Sequence, residues 1–255
     1  MKLTDLLPVF TLVAAVLLWE VLVVVNGIKP FVLPAPSAIW SAFLSDYQSL
    51  LEAAGVTLKI TLFALSLALL SGLSLAILFS FVPTFEKAVF PLAVVLQVTP
   101  VVSIAPLILI WVGLDNIDRA LLIIAWIVAF FPILANLTAG LKAVDPNLEE
   151  LFQLYKASKW QRFRYLALPT ALPYLFASLK ISAGLSLIGA VVAEFVAGSG
   201  TSSGLAWRIL EAGNRLQVPK MMAGLVLLAI MGMAIFYGFS ALERYLVRNP
   251  GRETS

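Results

Sequence analysis

Apolar residues run through this 255-residue chain in stretches of about twenty, with polar positions gathered in the gaps between them. The hydrocarbon core of a bilayer is roughly 30 Å thick, which takes about twenty helical residues to cross. Six stretches are long enough: about 8–25, 56–82, 88–111, 120–141, 170–197 and 221–242. The pattern predicts an all-α membrane protein with six transmembrane helices. The first stretch is too long for a signal peptide and has no small-residue cleavage site, so it reads as a retained helix.

Three of these stretches carry residues that an inert lipid-facing helix does not need. Pro91, Pro100 and Pro106 interrupt the third. A proline removes a helical hydrogen bond, and membrane bundles tolerate this where neighbours or water satisfy the freed carbonyl. Pro100 and Pro106 are therefore candidate pathway residues, with bent packing helices as the alternative. In the fifth stretch Ser178, Ser182, Ser186 and Ala190 recur every four residues and lead to Glu194. Intramembrane charges normally face protein or a water-filled cavity, which makes Ser182, Ser186 and Glu194 further pathway candidates. Lys180 can instead snorkel to the surface, and Glu20 in the first stretch is expected to pack against a polar partner. Gly72, Gly113, Gly140, Gly184 and Gly189 are expected to mark close helix contacts.

The segment 145–168 is of a different kind, polar and basic between two long apolar runs. Asp145 is placed to N-cap a helix with Pro146 at its first position, and Glu149 and Glu150 sit early in it, where the helix dipole favours anions. Leu148, Leu151, Phe152 and Tyr155 give that helix one apolar face. Ser158 and Gln161 fit a capping box opening a second short helix that carries Trp160 and Phe163 and is expected to end at Leu168-Pro169. A loop without a partner has no reason to keep Leu, Phe, Tyr and Trp exposed. The pattern points to a docking element for a soluble partner.

Composition agrees with a bilayer setting: 61% hydrophobic residues, 12% charged, and a mean hydropathy of +1.00. Histidine and cysteine are absent, which excludes disulfides, thiol chemistry and His- or Cys-ligated metals; no cofactor is expected. A net charge of +3 is too small to point to nucleic acid. The distribution of charge says more. With the N-terminus inside, the inner segments hold ten cations (Lys2, Lys87, Lys142, Lys156, Lys159, Arg162, Arg164, Arg244, Arg248 and Arg252). The outer segments hold six (Lys29, Lys59, Arg119, Arg208, Arg215 and Lys220). The bias predicts cytoplasmic termini and a cytoplasmic 142–168 loop. Two outer segments have patterns of their own. In LPAPSAIW, Ser37 is placed to cap a short surface helix after Pro34 and Pro36. The run GSGTSSG at 198–204 precedes an amphipathic helix with Trp207. Both read equally as interfacial helices anchored by Trp40 and Trp207, or as surfaces for an external partner.

Segment 150–169 resembles the cytoplasmic coupling loop, the EAA loop, of ABC-importer permeases. Glu150 matches the motif's opening acid, Ala157-Ser158 and Trp160-Gln161 its centre, and Phe163 and Leu168-Pro169 its close. Leu151 and Phe152 replace the paired alanines, and Lys156 stands where that family has a turn glycine, a position that usually has positive φ. LPAPSAIW, the Thr57 region, TPVVSIAPLILIWVGL, FFPILANLTAGLKAVDP and IGAVVAEFVAGS extend the resemblance to permeases of the nitrate/sulfonate/taurine type. The resemblance implies a type I importer permease in the bacterial inner membrane: one permease domain over 1–255 with its core at about 56–245, its five core helices preceded by one extra. It also implies a second permease copy, two cytoplasmic ABC ATPase subunits and an external substrate-binding protein. The coupling residues would be Glu150, Leu151, Phe152, Tyr155, Lys156, Ala157, Ser158, Trp160, Gln161 and Arg162. Substrates across the family include nitrate, taurine, alkanesulfonates, bicarbonate and pyrimidine or other vitamin precursors; the TPVVSIAPLI and LFQLYKAS segments lie closer to the last branch.

The chain has no Gly-Lys pair and hence no P-loop, so ATP would be hydrolysed by a partner subunit. An ion-coupled secondary transporter is the alternative, with only Glu20, Lys180 and Glu194 as ion sites and no carboxylate pair. A membrane enzyme would need a catalytic cluster, and the sequence shows none.

Overall fold

The structure, a computed structural model, describes residues 3–197 and 204–247; most of the GSGTSSG run lies outside the described residues. Ten α-helices account for nearly all of it, with one 3₁₀ turn at Leu114–Asn116 and one π turn at Phe163–Ala167. The chain divides into two compact units, residues 1–56 with 203–230, and residues 57–202 with 231–255.

The first unit contains α1 (Leu3–Val25), the start of α2 (Pro36–Phe81), α9 (Leu205–Asn214) and the start of α10 (Val218–Val247). Gly27, at φ +60°, ends α1: the Ile28 N–H reaches the Val23 carbonyl at 3.1 Å and the Gly27 N–H that of Val24 at 3.2 Å. Those are the paired bonds of a Schellman cap, which needs a left-handed residue at this position. Ser37 does not cap its own helix. Its N–H and hydroxyl both donate to the Glu20 carboxylate, at 2.9 and 2.7 Å, so a carboxylate from α1 satisfies the exposed donors at the start of α2. This is the polar partner expected for Glu20. The surface helix expected after Pro36 continues as α2, interrupted at Asp46 (φ −123°, ψ 15°), whose carboxylate lies 3.1 Å from Lys220 Nζ. α9 buries Leu205 and Ile209 with Ile39, Leu50, Ala53 and Ala223, so its apolar face is already covered within the chain.

The second unit contains the rest of α2 and α10, with α3 (Pro83–Val98), α4 (Val101–Val112), α5 (Ile117–Lys142), α6 (Pro146–Leu154), α7 (Lys159–Arg162) and α8 (Leu168–Ala197). Its core is the α5–α8 pair. Small residues set that spacing: a Cβ on Gly189 would stand 2.8 Å from the Ala125 Cα, and one on Gly140 would stand 2.7 Å from Tyr174 Cβ. Membrane helices associate through such close packing rather than through hydrophobic transfer. Gly184 and Gly113 depart from the expectation, since nothing lies within 4 Å of where either Cβ would be, and Gly113 instead follows the end of α4 at φ +87°.

The third expected span is not one kinked helix. The chain bends by 103° between α3 and α4, and the break falls at Thr99-Pro100, both extended. A residue before proline is driven out of the helical region, and Pro100 follows as the N-cap of α4. Pro91 and Pro106 sit inside their helices without ending them. Among the described residues four helical runs are long and apolar enough to cross a bilayer, or five if the bent pair is one span, while Phe10–Val25 is a shorter apolar helix.

Candidate functional site

The loop between α5 and α8 folds as a helix pair built from the cues along its sequence. Asp145 caps α6 by accepting from the Asn147 N–H at 2.8 Å, and Pro146 takes the first position. Ser158 and Gln161 complete a capping box on α7, the Ser158 N–H donating to Gln161 Oε1 at 2.7 Å and the Gln161 N–H to Ser158 Oγ at 3.3 Å. Between the two helices the Ala157 N–H reaches the Phe152 carbonyl and the Lys156 N–H that of Gln153, both at 2.9 Å. This is again a Schellman cap, and its left-handed residue is Lys156, at φ +52°. Lysine at the turn position keeps the conformation glycine would adopt, at a cost of about 1 kcal/mol.

Glu149 and Arg162 form an ion pair that ties α6 to α7. Arg162, expected among the coupling residues, is thus engaged inside the loop, and its partner Glu149 was legible only as a helix-start acid. Trp160 stacks on Phe81 and Phe163, at centroid distances of 6.3 and 5.6 Å, which ties α7 to the end of α2. Glu150, Leu151, Tyr155, Lys156, Ser158 and Gln161 remain exposed, Phe152 and Ala157 partly so. Leu151, Phe152, Tyr155, Ala157, Gln161 and Tyr165 line a cleft of about 280 Å³. Leu154 and Tyr155 are 79% and 80% exposed.

The second short helix does not stop at Leu168-Pro169. The π turn joins α7 directly to α8, and the Leu168 N–H bonds the Phe163 carbonyl five residues back. That widened turn accommodates the Pro169 ring, and Thr170 Oγ1 donates to the Leu166 carbonyl at 2.8 Å. Lys159–Ala197 is therefore one helical run of 39 residues, with α7 at one end.

Further along it, Ser178, Ser182, Ser186 and Ala190 are fully buried and Glu194 is 1% exposed. The Ser186 hydroxyl donates to the Thr61 carbonyl at 2.8 Å, and Thr57 Oγ1 to Glu194 at 2.6 Å. These bonds fasten α8 to α2. Burial of a carboxylate requires such donors, and Thr57, singled out in the sequence only by resemblance, supplies one. The Ser182 hydroxyl has no partner among the described residues. Pro100 and Pro106, by contrast, are exposed on the bent α3–α4 pair. Lys180 does not snorkel free: its Nζ lies 2.6 Å from Glu243 on α10. No group of residues able to hold a metal ion occurs among the described residues.

A helical bundle with spans long enough for a bilayer, carrying an exposed amphipathic helix pair on a continuous helical run, defines a membrane-embedded component. The description "Binding-protein-dependent transport system inner membrane component" matches residues 68–251, and the chain belongs to that family. It is similar to the riboflavin transport system permease protein RibX of Chloroflexus aurantiacus, 33% identical over 95% of this chain and 89% of the relative. It is also similar to the formylaminopyrimidine transport permease protein ThiX of Halalkalibacterium halodurans, 30% identical over 94% of each chain. The taurine transport system permease protein TauC of Escherichia coli is 27% identical over 94% and 88%. Among solved structures, an amino acid ABC transporter and the MetNI methionine ABC transporter share the fold, at TM-scores of 0.66 and 0.65 and 19% identity, covering 80% and 79% of this chain and 97% and 98% of theirs. The chain is a permease subunit of an ABC importer, and its family works with an ATPase and a substrate-binding protein.

Proposed function

We propose that two copies of this chain form the pathway of an importer, and that α6 and α7 are the handle by which two cytoplasmic ATPase subunits move it. One observation carries this reading: the exposed helix pair is fused through the π turn to α8, the helix packed along α5 and fastened to α2. A displacement of the pair is transmitted to the bundle without a flexible joint. Leu151, Phe152 and Tyr155 would fill an apolar groove on the ATPase with Ala157, Gln161 and Trp160 at its edge. Glu150 and Lys159 would set register at the rim. Ser158, Lys156 and Arg162 hold the loop's shape. The loop and both termini lie in the cytoplasm, and α1 is the extra helix that brings the crossings to six. The bent α3–α4 pair around Pro100 and Pro106 contributes to the pathway wall, and Ser182, Ser186 and Glu194 set the spacing of the helices behind it.

Changing Glu150 or Phe152 to Arg is expected to abolish ATP-driven uptake and ATPase copurification while membrane insertion persists. Unimpaired uptake by both variants would overturn the coupling reading. Uptake that survives ATP depletion but collapses with an ionophore would favour the ion-coupled alternative.

For the cargo we propose a nitrogen heterocycle of the vitamin or pyrimidine-precursor class. Two features support it. The relatives named for riboflavin and formylaminopyrimidine are more similar to this chain than the one named for taurine. The intramembrane cation Lys180 is also neutralised by Glu243, and so is not available to a sulfonate or nitrate. Uptake of taurine but not riboflavin by vesicles carrying the importer would refute this assignment.

A further inference from the structure

At the base of the loop, two clefts of the second unit carry positive charge, of which the proposed coupling contact draws only on Lys159. The larger, about 560 Å³, places Lys142, Lys159 and Arg162 around an apolar floor of Phe81, Leu141 and Phe163. The smaller, about 330 Å³, is lined by Glu86, Lys87 and Thr138 among others. The two share Ser80, Pro83, Leu141 and Lys142, and so form one continuous depression.

Two of the four cations are neutralised, Lys142 by Glu86 at 2.5 Å and Arg162 by Glu149. Among the described residues no carboxylate forms an ion pair with Lys87 or Lys159, so the depression keeps a net positive charge. The Thr138 hydroxyl, on a residue 5% exposed, has no hydrogen-bond partner among the described residues. A buried hydroxyl without a partner costs stability unless something supplies an acceptor. Cations above an aromatic and aliphatic floor, with an orphaned donor alongside, match an anion that carries an apolar tail. A zwitterionic headgroup brings no net charge to such a site, and a free anion leaves the floor uncovered.

We infer that this depression binds an anionic phospholipid, its phosphate drawn to Lys87 and Lys159 and an acyl chain laid over Phe81 and Phe163. Basic pockets at helix ends beside the cytoplasmic leaflet are suited to such headgroups. The assignment of the cytoplasmic leaflet rests on the orientation proposed above; the preference for a lipid anion rests on the cleft alone. A lipid there braces the ends of α2 and α5 against α6 and α7, so the handle is stiffest in membranes rich in anionic lipid.

The test is native mass spectrometry of the purified importer, titrated with phosphatidylglycerol or phosphatidylcholine. Phosphatidylglycerol is expected to bind about tenfold more tightly, as two basic contacts allow. K87Q/K159Q should lose that preference and K59Q, a charge change outside the depression, should keep it. Equal affinity for the two lipids, or an unchanged preference in K87Q/K159Q, would overturn the inference. Displacement by inorganic phosphate at millimolar levels would overturn the lipid assignment in favour of a free-anion site. The F152R variant separates the two readings: a retained ATPase with intact lipid preference refutes the coupling reading alone, whereas ATPase release with lost preference refutes the lipid inference alone.

Discussion

Arg162 pairs with Glu149 across the turn held by Lys156, an ion pair that ties the two short helices of the loop together. Both side chains are only partly buried, and such pairs are worth about 0.5–1 kcal/mol. R162Q should therefore express and insert normally but transport less solute per ATP hydrolysed, because α6 can shift without carrying α7. The swap E149R/R162E should restore the coupling ratio. Measured ratios of transport to hydrolysis decide it, and a wild-type ratio in R162Q would discard the tie.

Lys156 sits in the left-handed region at φ +52°, where a Cβ is costly. K156G should relieve about 1 kcal/mol and slow amide exchange at Lys156 and Ala157, the donors of the two Schellman bonds. K156V should do the opposite, since a β-branched residue tolerates this region least. Faster exchange in K156G would show that the lysine side chain itself stabilises the turn.

Thr57 donates to the fully buried Glu194 at 2.6 Å. T57V keeps the shape and removes the donor, which should cost about 1–3 kcal/mol and lower the melting temperature of the detergent-solubilised protein. T57S should be close to neutral. Equal stability of T57V and T57S would mean that this bond contributes little to holding α8 on α2.

Gly189 and Gly184 lie on the same helix and should respond oppositely to alanine. At Gly189 a Cβ would meet the Ala125 backbone at 2.8 Å, so α8 and α5 must part, at roughly 1–3 kcal/mol. At Gly184 nothing lies within 4 Å, and G184A should be neutral or slightly stabilising in the isolated chain. Thermal unfolding of both variants in detergent compares them directly. A destabilised G184A with an unaffected G189A would contradict the close approach of α8 to α5 at Gly189.

Local signals were legible because they act within a few residues. Asp145-Pro146, the Ser158–Gln161 box and the apolar face of α6 each depend on neighbours one helical turn away, and each folds as its pattern directs. Pro100 stops a helix where Pro91, Pro106, Pro132 and Pro173 do not, a distinction the residue type alone does not carry. Pro169 was misleading for the same reason: a π turn is a property of the packed helix, not of the proline.

Hydropathy and capping are read residue by residue, so the bilayer medium, the helical class and the two capped helices of the 145–168 loop were all legible along the chain. Tertiary structure alone decided which partners the isolated polar groups take. Glu20 meets Ser37, Lys180 meets Glu243, Glu194 meets Thr57, and Arg162 meets Glu149. Lys180–Glu243 and Glu194–Thr57 join groups far apart along the chain, and even the nearer pairs Glu20–Ser37 and Glu149–Arg162 meet only because a turn brings one helix back toward the other. A buried charge must find an opposite charge or a donor somewhere, but only helix packing brings a particular one within reach.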